Sequence, residues 1–153
     1  GKKAPDSQKV LINTWMKAYE YFKDNSGYNI SDVIAVGKSM GGRVASQMVA
    51  DGQLDVSRLI FLGYPLHAPG KKNKLRDAHL YNIKIPMLFF AGTRDSLCDL
   101  DKLHGVLKNL NYKWELEIIE GGDHSLKLLK SDPRTENDIH QHVIRKSLAW
   151  LTR

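Results

Sequence analysis

Four short apolar runs recur along this chain at nearly equal distances, and that regularity narrows its possible folds more than any other feature. They begin at Val33, Leu59, Met87 and Trp114, at intervals of 26, 28 and 27 residues. Such an interval holds one strand, one helix and two loops, so the chain reads as successive β-α units with right-handed crossovers. Val33-Ile34-Ala35-Val36, Leu59-Ile60-Phe61-Leu62 and Met87-Leu88-Phe89-Phe90-Ala91 are apolar throughout, as in the middle of a parallel sheet. In the fourth run Trp114, Leu116 and Ile118 alternate with Glu115 and Glu117, which suits an edge strand with one wet face. Nothing but the spacing recurs.

Between these runs the apolar residues change to three- and four-residue spacing. Val10, Leu11, Thr14, Trp15, Ala18, Tyr19 and Phe22 predict a first helix with one buried face, opened by Pro5 and ended by Asn25-Ser26-Gly27. Val44, Ala45, Met48 and Val49 line a second helix, Arg43 to Ala50, which Gly52 stops. Leu100, Leu103, Val106, Leu107 and Leu110 predict a third, and Ile139, Val143, Ile144, Leu148 and Leu151 a last one. The expectation is a doubly wound, mostly parallel α/β sheet in one domain, residues 1–153.

Composition sets the remaining bounds. Of the 153 residues, 42% are hydrophobic and 26% charged, which suits a globular chain with a sizeable core. No apolar run is long enough to span a bilayer, so no membrane partner is expected. A single cysteine, Cys98, excludes an internal disulfide and points to a reducing, cytoplasmic compartment. The net charge of +6 favours an anionic partner or substrate. The densest basic run, Lys71-Lys72-Asn73-Lys74-Leu75-Arg76, has no interleaved aromatic residues and reads as a solvated loop, so nucleic acid is not an expected partner.

Chemistry concentrates where the first strand turns into a helix, at Gly37-Lys38-Ser39-Met40-Gly41-Gly42. A serine at such a turn sits on strained backbone with its hydroxyl exposed. Gly37 and Gly41 lack a Cβ, which lets strand and helix approach closely. The Met40 amide would face the space in front of Ser39, where a reacting oxygen gains negative charge. The same residues could end a phosphate loop, but that motif needs glycine at position 32, which is Asp32, and a loop where this chain has a strand.

In an open parallel sheet, ligands bind outside the carboxyl ends of the strands. Ser39 follows the first strand, Asp95 the third and His124 the fourth. A serine needs an imidazole to take its proton, and the imidazole needs a carboxylate to fix its tautomer. Each residue also has a plainer role open to it. Asp95 or Asp99 could cap the helix that starts near Leu100, and His124 could be a surface turn residue. The three together, in the order Ser, Asp, His, favour catalysis.

Gly37-Lys38-Ser39-Met40-Gly41-Gly42-Arg43, Leu62-Gly63-Tyr64-Pro65-Leu66-His67, Gly92-Thr93-Arg94-Asp95 and Gly121-Gly122-Asp123-His124 resemble the α/β-hydrolase superfamily. The closer likeness is to a small-domain branch related to dienelactone hydrolases, which includes the hydrolase-like domain of the third subunit of the NSL histone-acetyltransferase complex. The resemblance implies Ser39 as nucleophile, Asp95 as acid, His124 as base and the Met40 amide as one oxyanion donor. Dienelactone hydrolases proper have cysteine at the turn where this chain has Ser39, so their substrate does not carry over; Cys98 reads as an ordinary thiol. The superfamily has further strands before the first helix. The expectation is therefore a carboxyl-terminal part of the fold, whose 33–36 strand pairs with a missing amino-terminal segment or with a second copy, and whose second oxyanion donor lies elsewhere.

These features imply a serine hydrolase that cleaves a carboxylic ester or thioester of a small molecule through an acyl-enzyme, with no metal and no organic cofactor. The alternative is a catalytically silent scaffold that binds a protein partner. Leu66, His67 and Leu97 are expected to line the pocket. His79 and His104 read as surface residues. His140 and His142, two apart at a helix start, do not share a face and are not expected to hold a metal.

Overall fold

The computed structural model describes residues 6–27, 30 and 32–153. The expected opening of the first helix at Pro5 lies outside them. Helix α1, Gln8–Asn25, starts instead from Ser7, whose side chain accepts the Val10 amide. Strand β1, Ile34–Lys38, runs directly into α2, Met40–Ala50. Then follow β2, Arg58–Leu62; β3, Met87–Gly92; α3, Leu100–Lys108; β4, Trp114–Ile119; and α4, Glu136–Leu151. Asp99 caps α3 by accepting the Lys102 amide, and Thr135 and Asp138 form a reciprocal capping box at the start of α4. Since Asp99 takes the capping role, Asp95 is left for another.

The four strands are parallel and lie in the order β1-β2-β3-β4. Alternate residues face opposite layers, so the sheet is covered on both sides. Phe61, Phe89, Met87 and Leu59 pack with Val44, Ala45 and Met48 of α2 and Leu103 and Leu107 of α3. Ile60, Leu88 and Phe90 pack with Ile139 and Trp150 of α4. That two-sided cover is the doubly wound arrangement expected from the sequence.

Two details differ from expectation. β1 was read as apolar on both faces, yet Val36 is 51% exposed and Lys38 is exposed beside it. β1 pairs only with β2 among the described residues, the open edge expected for the 33–36 strand, and that edge leaves Val36 and Lys38 exposed. In α1, Val10 and Phe22 are about half exposed, while Leu11, Ile12, Trp15, Met16 and Tyr19 pack against the core. β4 is the other edge. Its Glu117 is hydrogen-bonded to His142 at 2.7 Å and ion-paired with Lys146 at 3.0 Å, so polar contacts from α4 cover the wet face.

Candidate active site

The strand ladder continues past the strands and anchors each functional loop. The Ser39 amide donates to Leu62 O at 3.1 Å, Gly63 N–H to Phe90 O at 2.9 Å, and Thr93 N–H to Ile119 O at 3.2 Å. The four carboxyl ends therefore form one rim. Ser39 sits on it with φ 50° and ψ −122°, in the left-handed half of backbone space that a side chain adopts only under constraint. The constraint is the contact between strand and helix: a Cβ on Gly37 would fall on the backbone of Gly42. The close approach thus involves Gly37 and Gly42. Gly41, expected to share in it, faces open space.

Ser39 and His124 belong to loops at opposite edges of the sheet. Three strand spacings separate those edges, roughly 14 Å. The turn after β4 closes that distance by lying across the ends of β3 and β2. A Cβ on Gly92 would strike the carbonyl of Gly122, and one on Gly63 would strike the carbonyl of His124. Both glycines leave room for the crossing turn. Asp123 holds the turn's shape, its carboxylate accepting the amides of Ser125 at 2.7 Å and Lys127 at 3.0 Å.

His124 arrives with Nε2 2.7 Å from Ser39 Oγ. Its Nδ1 lies 2.9 and 2.8 Å from the two carboxylate oxygens of Asp95. A carboxylate only accepts, so the ring carries a proton on Nδ1, and in its neutral form Nε2 is the acceptor that faces the hydroxyl. The Asp95 side chain is wholly enclosed and the His124 ring 21% exposed. Asp95 Oδ1 also accepts the Leu97 amide at 2.7 Å, which fixes the rotation of the carboxylate. Met40 opens α2, so its amide is among the first-turn donors that find no acceptor within the helix.

A cleft of about 300 Å³ is lined by Lys38 and Ser125, the chain neighbours of Ser39 and His124, though by neither of those two residues. Leu62, Leu126, Ile139, Val143 and Ile144 supply its apolar surface. Leu126 holds a left-handed φ of 65°. These residues were legible only as strand and helix core. Leu66 and His67, expected to line the pocket, are instead wholly buried in the interior, and neither they nor Leu97 borders this cleft.

Other titratable groups nearby are structural. Burial, with help from the charge of Asp95, pushes the Cys98 thiol up to about 12, so it stays protonated. His79, expected on the surface, is partly buried against Ser46 Oγ at 2.8 Å and Tyr64 OH at 3.2 Å. Both hydroxyls already donate to carbonyls, Ser46 to Arg43 and Tyr64 to Arg76, so His79 Nε2 is the donor to each. Burial first, then the charge of Arg43, lowers its pKa to about 4. His104 is half-buried and bonded to Leu100 O.

An alpha/beta hydrolase domain family matches residues 1–152. Solved structures share the fold. An esterase of Pyrococcus furiosus superposes with a TM-score of 0.71 at 15% identity, over 93% of this chain and 61% of that one. A dienelactone hydrolase of Anabaena variabilis gives 0.62 at 20% identity, over 90% and 58%. An alpha-beta serine hydrolase homologue of Coxiella burnetii gives 0.62 at 14% identity, over 81% and 55%. The chain therefore spans a little over half the length of these structures.

Proposed function

Because the chain belongs to the alpha/beta hydrolase domain family, we propose that it is a serine hydrolase acting on an ester or thioester of a small molecule. One observation carries this: the unbroken relay from Ser39 Oγ through His124 to the Asp95 carboxylate. Ser39 Oγ attacks the carbonyl carbon while His124 Nε2 takes its proton, and Asp95 stabilises the imidazolium. The carbonyl π pair moves to oxygen, and the Met40 amide donates to the resulting anion. The anion collapses, and the alcohol or thiol leaves with the proton from His124. Water, deprotonated by the same nitrogen, then releases the acid and restores Ser39. The apolar cleft favours an aliphatic acyl group, with Lys38 at its rim favouring an anionic one. The closer likeness to the dienelactone-hydrolase branch and to the NSL subunit domain is part of this proposal, as is a cytoplasmic location. Among the described residues no helix is long and apolar enough to cross a membrane, and Cys98 is a free thiol.

A fluorophosphonate probe tests it. Covalent labelling at Ser39, lost in His124→Ala, is the expected result. A folded protein that is never labelled overturns it.

The scaffold reading draws on a different surface. Val36 is half exposed on β1, which pairs only with β2 among the described residues, and Ile144, half exposed, shares a cleft with Lys38 of the same strand. We assign that edge, residues 34–38, to a further strand, either from another segment of the same protein or from a second copy.

A further inference from the structure

We propose that His67 is a positioning residue for the Asp95 carboxylate. Its place in the fold is unusual for a histidine: the ring and backbone are 0% exposed, in the loop after β2, with no part in the relay. A ring so enclosed must satisfy both nitrogens inside the protein. Nδ1 lies 3.1 Å from the carbonyl of Ala68, which can only accept, so Nδ1 carries the proton. Nε2 is then a lone-pair acceptor, and the Asp99 amide donates to it at 3.2 Å.

The backbone of the same residue makes the second tie. His67 N–H donates to Leu97 O at 3.0 Å. Leu97 in turn donates its own amide to Asp95 Oδ1. His67 thus grips the β3–α3 loop at two places, Leu97 and Asp99, on the carboxyl side of Asp95. Other ties hold the loop as well, among them the Asp95 amide to Gly92 O at 3.1 Å, the Arg94 amide to Gly122 O at 2.8 Å and Lys72 Nζ to Asp99 Oδ2 at 2.8 Å, but none of these reaches Leu97. Removing the acceptor at Nε2 leaves the partly buried Asp99 amide without that partner and loosens the segment whose Leu97 amide aims the carboxylate. Misplacement of a catalytic group by about 1 Å can cost about a hundredfold in rate.

The role assigned to His67 rests on the hydrolase proposal for its importance, but its test does not. The proton shared by His124 Nδ1 and Asp95 gives a low-field proton NMR signal that reports their geometry whether or not the protein turns over. In His67→Leu that signal shifts or disappears, and the rate of Ser39 labelling by fluorophosphonate falls roughly ten- to a hundredfold. Hydrolysis of p-nitrophenyl acetate loses kcat with KM unchanged. His67→Gln, which retains an acceptor at the Nε2 position, restores signal and rate. An unchanged signal in folded His67→Leu overturns the proposal. Should that variant not fold, His67→Gln and His67→Asn decide: retention in Gln with loss in Asn supports it, and equal behaviour overturns it. A wild-type protein that shows the signal but is never labelled refutes the hydrolase reading alone.

Discussion

Gly63 and His124 share one small volume at the rim of the sheet: a methyl group on the first would occupy the carbonyl oxygen of the second. Gly63 also holds a φ of 69°. Gly63→Ala therefore meets two penalties, a left-handed alanine at about 1–2 kcal/mol and displacement of the turn that brings His124 to Ser39. The expected outcome is a fall in Tm of about 2–8 °C with near-complete loss of Ser39 labelling. A differential scan and a labelling time course on one sample check both.

Asp95→Asn keeps the shape and leaves a side-chain oxygen for the Leu97 amide, but its amide nitrogen can no longer accept from Nδ1. His124 then favours a proton on Nε2, the wrong nitrogen for taking one from Ser39. Labelling should slow on the order of 10³–10⁴-fold, with the thermal midpoint nearly unchanged. Inactivation kinetics against the wild type measure it.

His79 sets an acid limit on stability. Its folded pKa of about 4 lies below its ordinary 6.5, so between those values the unfolded chain binds the proton and the folded one does not. Stability is then complete above about pH 6.5 and declines as pH falls toward 4. His79→Gln should flatten that decline in urea midpoints taken from pH 7 to pH 4, because Gln can still donate to Ser46 and Tyr64 without titrating.

The proposal that the β1 edge takes a further strand or a second copy predicts association of this chain. Val36→Lys places a second charge beside Lys38 on a surface already half exposed. Sedimentation should show concentration-dependent association of the wild-type chain and a monomeric variant, with stability altered by about 0.5 kcal/mol or less.

Much of the fold was readable because burial on both faces of a parallel sheet leaves an apolar run of a recognisable length. Leu59–Leu62 and Met87–Ala91 fall inside β2 and β3 for that reason. The apolar run marks Val33 to Val36, whereas β1 extends to Lys38, because Gly37 and Lys38 look like turn residues although both pair in register with β2. Ser39, Asp95 and His124 could be named because each follows a strand end, and the structure brings them within hydrogen-bonding reach. What could not be read was the route between them. Gly63 and Gly92 look like ordinary loop glycines, and only the crossing turn makes them necessary. Leu66 and His67 look like pocket residues because they follow a strand, whereas their loop folds back into the core. Sequence spacing carries no sign of that reversal.

The turn that spans the sheet from β4 to Ser39 has a mechanical corollary. Ser39 leaves one edge strand and His124 follows the other, so the contact between hydroxyl and imidazole exists only while β1 and β4 are both docked on the strands between them. A probe that reads that contact therefore reports on the whole width of the sheet, from one edge to the other.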